Sequence, residues 1–234
     1  MKIHRFIGSY DFGADRLTIK DSDTIHQINN VLKLKRNEEI FLCDGHMNDA
    51  LCTITEVGKK GVDVKVVEKL KNTAESPVDA EIYCAILKRE NFELVVQKAT
   101  EVGISKVIPI ITARTIKTDI KHERLAKIAQ EAAELSGRGR IPEIADPIKL
   151  ATAIEKAEEE RLNIFFDATG RDLKSVTELT TATHVAGWVG PEGGWTDEER
   201  NLALGAGFKL AGLGPQMLRG ETAAIIVSYI ICHR

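Results

Sequence analysis

Residues 184–208, HVAGWVGPEGGWTDEERNLALGAGF, decide how the chain folds. Val185 to Val189 is an apolar run of strand length, and Gly190-Pro191-Glu192-Gly193-Gly194 breaks it. Thr196-Asp197-Glu198-Glu199 follows almost at once. Threonine is a good helix cap, and three acids suit the positive amino end of a helix. A strand that turns through glycine and proline directly into a helix is the repeating unit of an α/β sheet.

The same alternation continues on both sides. Strands are expected at Ile82–Leu87, Lys106–Ile111, Leu162–Phe166 and Leu210–Leu213. Helices are expected at Asn91–Val102, His122–Leu135, residues 148–160, Asp197–Ala206 and Glu221–Ile231. Phe92, Val95, Val96, Ala99 and Val102 form one helical stripe that Gly103 stops. The pattern predicts a mostly parallel sheet with helices on both faces. Residues 1–72 read differently. Short strands at Leu17–Ile19, Glu39–Asp44, Ala50–Val57 and around Val62, Val64 and Val66 surround one helix, opened by Asp21 or Asp23 and ending near Leu32. That mixture suggests a small β-barrel. The polar stretch KNTAESPVD, residues 71–79, reads as a linker. The expected domains are therefore 1–72 and 73–234.

Composition narrows the function. With 43% hydrophobic and 29% charged residues, the 234-residue chain is ordinary for a globular protein. No apolar run reaches the roughly 18 residues of a membrane span, and Met1-Lys2-Ile3-His4-Arg5 has no signal-peptide core. A cytoplasmic protein without a membrane partner is expected. Cys43, Cys52, Cys84 and Cys232 contain no C-x-x-C, and the six histidines no H-E-x-x-H, so no metal is expected. Net charge is −3; residues 1–72 carry 12 Lys+Arg against 11 Asp+Glu, and residues 73–234 carry 20 against 24. An RNA-binding surface must then come from local clusters such as Lys33, Lys35 and Arg36 rather than from a global field.

Ligands of open α/β sheets lie at the carboxyl ends of strands. Three loops there carry chemistry: Asp167–Gly170, Gly190–Gly194 and Leu213–Thr222. The chain has no G-x-x-x-x-G-K-[ST] and no G-x-S-x-G, and Leu210 takes the third glycine position after Gly205-Ala206-Gly207. Asp197, Glu198 and Glu199 argue against a phosphate beside the glycine turn. On spacing alone, a plain tight turn and a ligand site stand level.

Longer motifs add to this. VGPEGGWTDEE (189–199), the following GF, and LGPQMLRGETA (213–223) resemble the C-terminal signature of bacterial small-subunit ribosomal RNA (uracil-N3)-methyltransferases, of the SPOUT class. QKATEVGISKVIPIITAR (97–114), ERLAKIAQEAAELSGRGRIPEI (123–144) and HQINNVLKLKRNEEIFLCDG (26–45) extend the resemblance, in order, over nearly the whole chain. The resemblance implies a trefoil-knotted α/β domain, an N-terminal PUA-like β-barrel that binds RNA, a homodimer, and S-adenosylmethionine as methyl donor. The implied substrate is a uridine of the decoding region in the small ribosomal subunit, methylated at N3.

The implied donor site comprises Phe166, Asp167, Gly190, Pro191, Glu192, Gly193, Gly194, Leu213, Gly214, Met217 and Leu218. Arg219 is expected to orient a uracil carbonyl or stabilise charge on the base; its plain alternative is an ion pair with Glu221. Glu192 is expected either to accept the N3 proton or to hold the donor loop in shape. Lys33, Lys35, Arg36 and Arg138 are expected to bind RNA, Arg138 alternatively a partner subunit. Asp167 reads as a turn former, and Glu221 and Thr222 as caps of the last helix. Two departures from the family pattern leave the donor loops untouched. VLKLKR has lysines where the family often has arginine, which removes bidentate phosphate contact, and ELSGR lacks the usual glutamine before SGR. Rival readings are an NAD-type oxidoreductase, a non-catalytic RNA-binding module, and a methyltransferase acting on tRNA or another rRNA site.

Overall fold

Alternating burial builds a first sheet, as seen in a computed structural model that describes residues 3–116 and 118–233. Its strands are β1 (His4–Ile7), β2 (Arg16–Ile19), β3 (Glu39–Cys43), β4 (Asn48–Val57) and β5 (Val62–Lys71), ordered β1-β3-β4-β5-β2. The β1–β3 pair is parallel and the others antiparallel. Ile40, Leu42, Cys52, Ile54, Val62 and Val64 point to one buried face. Helix α1 (Ser22–His26) starts where Asp21 accepts a hydrogen bond from the Thr24 amide, and a π-helical turn, Gln27–Val31, continues it. Ile25 and Ile28 from this segment close the core. Strand β1 has no alternation to betray it. Phe6 faces this core, while Ile7 packs with Cys43 and Ala133.

That last contact comes from a segment distant in sequence. The first compact unit comprises Met1–Glu75 together with Ala133–Ile141, a segment placed by sequence in the second domain. Its ties to the sheet are specific. Glu134 accepts from the Ile7 amide at 2.9 Å, and the Gly139 carbonyl accepts from the Met47 amide at 3.2 Å.

The second unit, Ser76–Ala132 and Pro142–Arg234, holds a seven-stranded sheet in which every pairing is parallel. Its elements are β6 (Asp79–Ala85), α2 (Arg89–Val102), β7 (Lys106–Ile111), α3 (His122–Ser136, the part up to Ala132), β8 (Glu143–Ile144), β9 (Ile148–Lys149), α4 (Leu150–Glu155), β10 (Leu162–Asp172), β11 (His184–Val189), α5 (Asp197–Gly205), β12 (Lys209–Gly212) and α6 (Gly220–Cys232). The order is β12-β10-β11-β6-β7-β8, with β9 also on β7. Strand β11 shows how both faces are covered. Val185 and Val189 join Phe92 and Val95 of α2, Leu125 of α3 and Val227 of α6. Ala186 and Trp188 join Leu150 of α4 and Ala203 of α5 on the other side. Each large side chain buried this way contributes roughly 1.5–3 kcal/mol. Gly187 lets α6 approach, since a Cβ there would lie 2.5 Å from Val227 Cγ1.

Two elements differ from expectation. The helix expected over 148–160 is confined to Leu150–Glu155. Glu158, Glu159 and Glu160 offer nothing apolar to bury, and the chain turns there toward β10. Strand β10 does not end at Phe166. Phe166 and Arg171 both pair with Ala211, so the four residues between them are extruded from the ladder before the strand resumes.

Candidate active site

The candidate loops issue side by side because their strands are in register. Phe166 of β10 pairs with Val189 of β11 on one side and Ala211 of β12 on the other. The residues just beyond these three positions are Asp167, Gly190 and Gly212.

The shape of the 190–194 turn is set by contacts within this unit. Trp195 swings back under the turn and its Nε1 donates to the Phe166 carbonyl at 2.8 Å. Its ring leaves no room at Gly190, where a Cβ would sit 2.9 Å from the indole. At Gly193 a Cβ would lie 3.2 Å from the Arg114 side chain. Gly194 has φ +69° and donates to the Pro191 carbonyl at 2.8 Å, closing the turn; that backbone region favours glycine. Thr196 and Glu199 then form a reciprocal capping box on α5. Pro191 is buried and Glu192 exposed. Glu192 accepts from the Lys88 amide at 3.4 Å. Burial pushes the Cys84 thiol well above its ordinary range, and the Glu192 charge adds to the effect, so Cys84 is no nucleophile.

Asp167 is largely covered. It accepts from the Thr169 amide at 2.8 Å and pairs with Arg200 of α5 at 3.3 Å, the turn-forming role read from sequence. Gly170 is pressed on β12, with a Cβ position only 2.3 Å from the Ala211 carbonyl carbon. In the third loop Gly214 has φ +115°, Leu213 packs against the main core, and Met217 is 87% exposed. Arg219 stands at the N-cap of α6 with its side chain 85% exposed. Its nearest carboxylate, Glu221, is 4.0 Å away, the outer limit of an ion pair. Glu221 itself is buried and accepts from Asn91 Nδ2 at 3.3 Å. Gly220 rests on Leu87, where a Cβ would meet Cδ2 at 2.9 Å.

The remaining expected residues lie in the first unit. Lys33, Lys35 and Arg36 are exposed, with Lys33 at φ +54°. Arg138 is not presented to a ligand. It is 2% exposed and its guanidinium grips Glu75, with Nη2 donating to Oε2 at 2.7 Å. The expectation of an RNA contact overlooked a largely covered acid 63 residues upstream that needs a partner. Reading by loops also missed Arg114, Leu87 and Asn91, which reach the site from neighbouring elements.

Two hollows flank this sheet. One, of about 820 Å³, is bounded by Gly170, Leu173, Leu179, Leu213, Gly214 and Ile226. It joins two of the three loops, whereas the 190–194 turn does not line it and is tied to β10 through Trp195 and Phe166. A larger hollow of about 1120 Å³ opens at the opposite ends of the strands, among Glu158, Arg161, His184 and Lys209. Strand amino ends carry none of the candidate loops, so volume does not select the site. Among the described residues no group of three His, Cys, Asp or Glu could hold a metal ion.

Comparison with known proteins agrees with this geometry. The model of the RNA methyltransferase domain matches residues 74–232, and that of the RNA methyltransferase PUA domain matches residues 19–67. Ribosomal RNA small subunit methyltransferase E of Rickettsia conorii is 30% identical over 230 residues, 96% of this chain and 93% of that protein. Its namesake in Bacillus subtilis is 28% identical over 225 residues, 91% and 88% of the two chains. The crystal structure of ribosomal RNA small subunit methyltransferase E from Neisseria gonorrhoeae, bound to S-adenosyl methionine, has a TM-score of 0.89 at 27% identity, covering 97% of this chain and 95% of that one. A putative methyltransferase from Legionella pneumophila with bound cofactor SAM also scores 0.89, at 30% identity over 99% and 97% of the two chains.

Proposed function

We infer, because this chain belongs to the RNA methyltransferase family and matches ribosomal RNA small subunit methyltransferase E over almost its full length, that it methylates N3 of a uridine in the decoding region of small-subunit ribosomal RNA, with S-adenosylmethionine as donor. The observation that carries the reading is the in-register exit of three loops from β10, β11 and β12. Two of them border a mostly apolar groove, and the third leads three acids into the start of α5. That surface fits a donor that has no phosphate, and the adjoining groove is within the roughly 300–1,000 Å³ of small-molecule sites. The residues that would hold the donor are Phe166, Asp167, Gly190 to Gly194, Leu213, Gly214, Met217 and Leu218.

S-adenosylmethionine supplies a methyl on a positively charged sulfur. The chain must supply the nucleophile's activation. N3 of uracil bears a proton and a delocalised lone pair, so it attacks only as that proton leaves. Glu192, exposed at the tip of its turn, is the proton acceptor in this proposal. Arg219 faces solvent with its guanidinium only loosely paired, and orients a uracil carbonyl while offsetting charge that develops on the ring. Lys33, Lys35 and Arg36 hold RNA phosphates on the PUA-like unit; the burial of Arg138 removes it from that set. A homodimer, which the resemblance implies, is part of the proposal, and sedimentation tests it. Among the described residues no helix is long and apolar enough to cross a membrane, and work on ribosomal subunits in the cytoplasm is part of the proposal.

The deciding experiment is labelled methyl transfer to small subunits lacking the modification, to free rRNA and to tRNA, with the product nucleoside identified. 3-Methyluridine from small subunits is expected. Label in tRNA, or in another nucleoside, replaces the substrate assignment. Failure to bind S-adenosylhomocysteine in calorimetry, or stabilisation by NADH instead, ends the reading.

A further inference from the structure

Arg114 belongs to no loop singled out by sequence, yet it reaches the 190–194 turn of the proposed donor site. It follows β7 in a turn that is stiff in its own right. The Thr112 amide donates to Thr115 Oγ1 at 2.9 Å, and the Thr115 amide donates to the Thr112 carbonyl at 3.2 Å. The turn is also pinned from outside. The Ala113 amide donates to Glu199 Oε1 at 2.8 Å, while Glu199 Oε2 accepts from the Thr196 amide at 2.9 Å. One glutamate thus fixes both the start of α5 and the β7 turn. From this base Arg114 Nη1 donates to the Gly193 carbonyl at 2.5 Å and to the Trp195 carbonyl at 3.4 Å. Its aliphatic stem lies against Gly193.

We propose that Arg114 is a positioning residue for methyl transfer, clamping the Gly193–Trp195 backbone so that the 190–194 turn is already in its donor-binding shape before the donor arrives. The inference rests on the reading of that turn as part of the S-adenosylmethionine site. A glycine-rich turn is otherwise free to sample many shapes, and ordering it at the moment of binding weakens affinity. A guanidinium is suited to the task because its planar donors are fixed relative to one another and its charge strengthens bonds to carbonyls. Its side chain is exposed, so its loss leaves the buried sheet intact. It makes no contact with the reacting atoms in this assignment, and so acts on donor affinity more than on turnover.

The test compares Arg114→Ala and Arg114→Lys with the wild type. Calorimetry with S-adenosylhomocysteine is expected to show about tenfold weaker binding for the alanine variant, the factor associated with one charge-assisted hydrogen bond. KM for the donor rises similarly while kcat at saturation stays within about threefold. Lysine, which can still donate to one carbonyl, recovers part of the affinity. Amide exchange at Gly193–Trp195 quickens in the alanine variant, with exchange in β11 unchanged. Equal donor affinity in wild type and Arg114→Ala overturns the clamp. So does a fall in kcat with KM unmoved, or faster exchange throughout β11. A wild type that binds no donor at all refutes the function instead, which keeps the two failures apart.

Discussion

Two arginines stand in similar glycine settings, Ser136-Gly137-Arg138-Gly139 and Leu218-Arg219-Gly220, and end in opposite surroundings. Arg138 is sealed in the first unit against Glu75, whose Oε1 also accepts from the Gly139 amide at 3.0 Å. Arg219 stands at the edge of a helix with its guanidinium in solvent. The contrast teaches what a sequence motif conceals. An arginine is available to a ligand only when the fold has not already given it a carboxylate. Here Glu75 sits in the middle of a polar stretch that reads as a linker, and nothing local announces its partner.

That contrast can be broken most forcefully at Arg138. Arg138→Ala leaves Glu75 buried beside a vacated guanidinium site, and should lower unfolding free energy by about 3–5 kcal/mol. Urea denaturation of the first unit's transition measures it. If stability stays within 1 kcal/mol, by the roughly 0.5 kcal/mol standard of ordinary surface changes, the residue is not structural. Next comes Arg219→Ala, expected to cut methyl transfer by about a hundredfold, in line with loss of one charge-stabilising donor, with the melting curve unmoved. Wild-type turnover would take Arg219 out of the mechanism, and a collapsed melting temperature would make it another Arg138.

Gly194→Ala asks whether fold and site can share one residue. Its φ of +69° disfavours any Cβ, at roughly 1–2 kcal/mol, so a modest drop in stability should accompany weaker donor binding. Loss of binding with no stability change would place the effect in ligand contact alone.

A third arginine sharpens the comparison at the smallest scale. Arg161, buried at the amino ends of the strands, donates to Asp79 at 2.9 Å. Burial pushes the Asp79 carboxyl upward, but hydrogen bonds from Ser105 and Arg161 outweigh it and hold the group below the usual carboxylate range. A depressed folded value means the stabilisation is complete above the unfolded pKa of about 3.9 and fades as pH falls through the lower folded value. Wild type should therefore lose stability below about pH 4 more steeply than Asp79→Asn. Parallel acid unfolding curves would show that the ion pair is incidental.

Much of the second unit was legible because continuous apolar runs mark strands buried on both sides and the 3.6 period marks helices with one buried face. The glycine turn was legible as an interruption, but its cause was not. Trp195 at Gly190 and Arg114 at Gly193 are contacts between residues close in space, one of them 79 residues away in sequence. Strand β1 escaped because its two inward residues face different neighbours. The extrusion of residues 167–170 escaped because register is a property of paired strands, and Ala211 serves two partners on one of them. Helix α4 was overextended because charge alone does not continue a helix that has no apolar face left to bury.

The first unit is discontinuous, closed by Ala133–Ile141. While the chain is being synthesised, residues 1–75 emerge with Glu75 and Asn72 still lacking Arg138 and the Gly137 carbonyl, their later partners at 2.7 and 2.9 Å. A fragment cut at the apparent linker would inherit the same deficit permanently, with Ile7 bared where Ala133 should lie. The amino-terminal unit therefore cannot mature before the carboxyl-terminal one is well under way, and nascent-chain folding should wait for residue 141 to clear the exit tunnel.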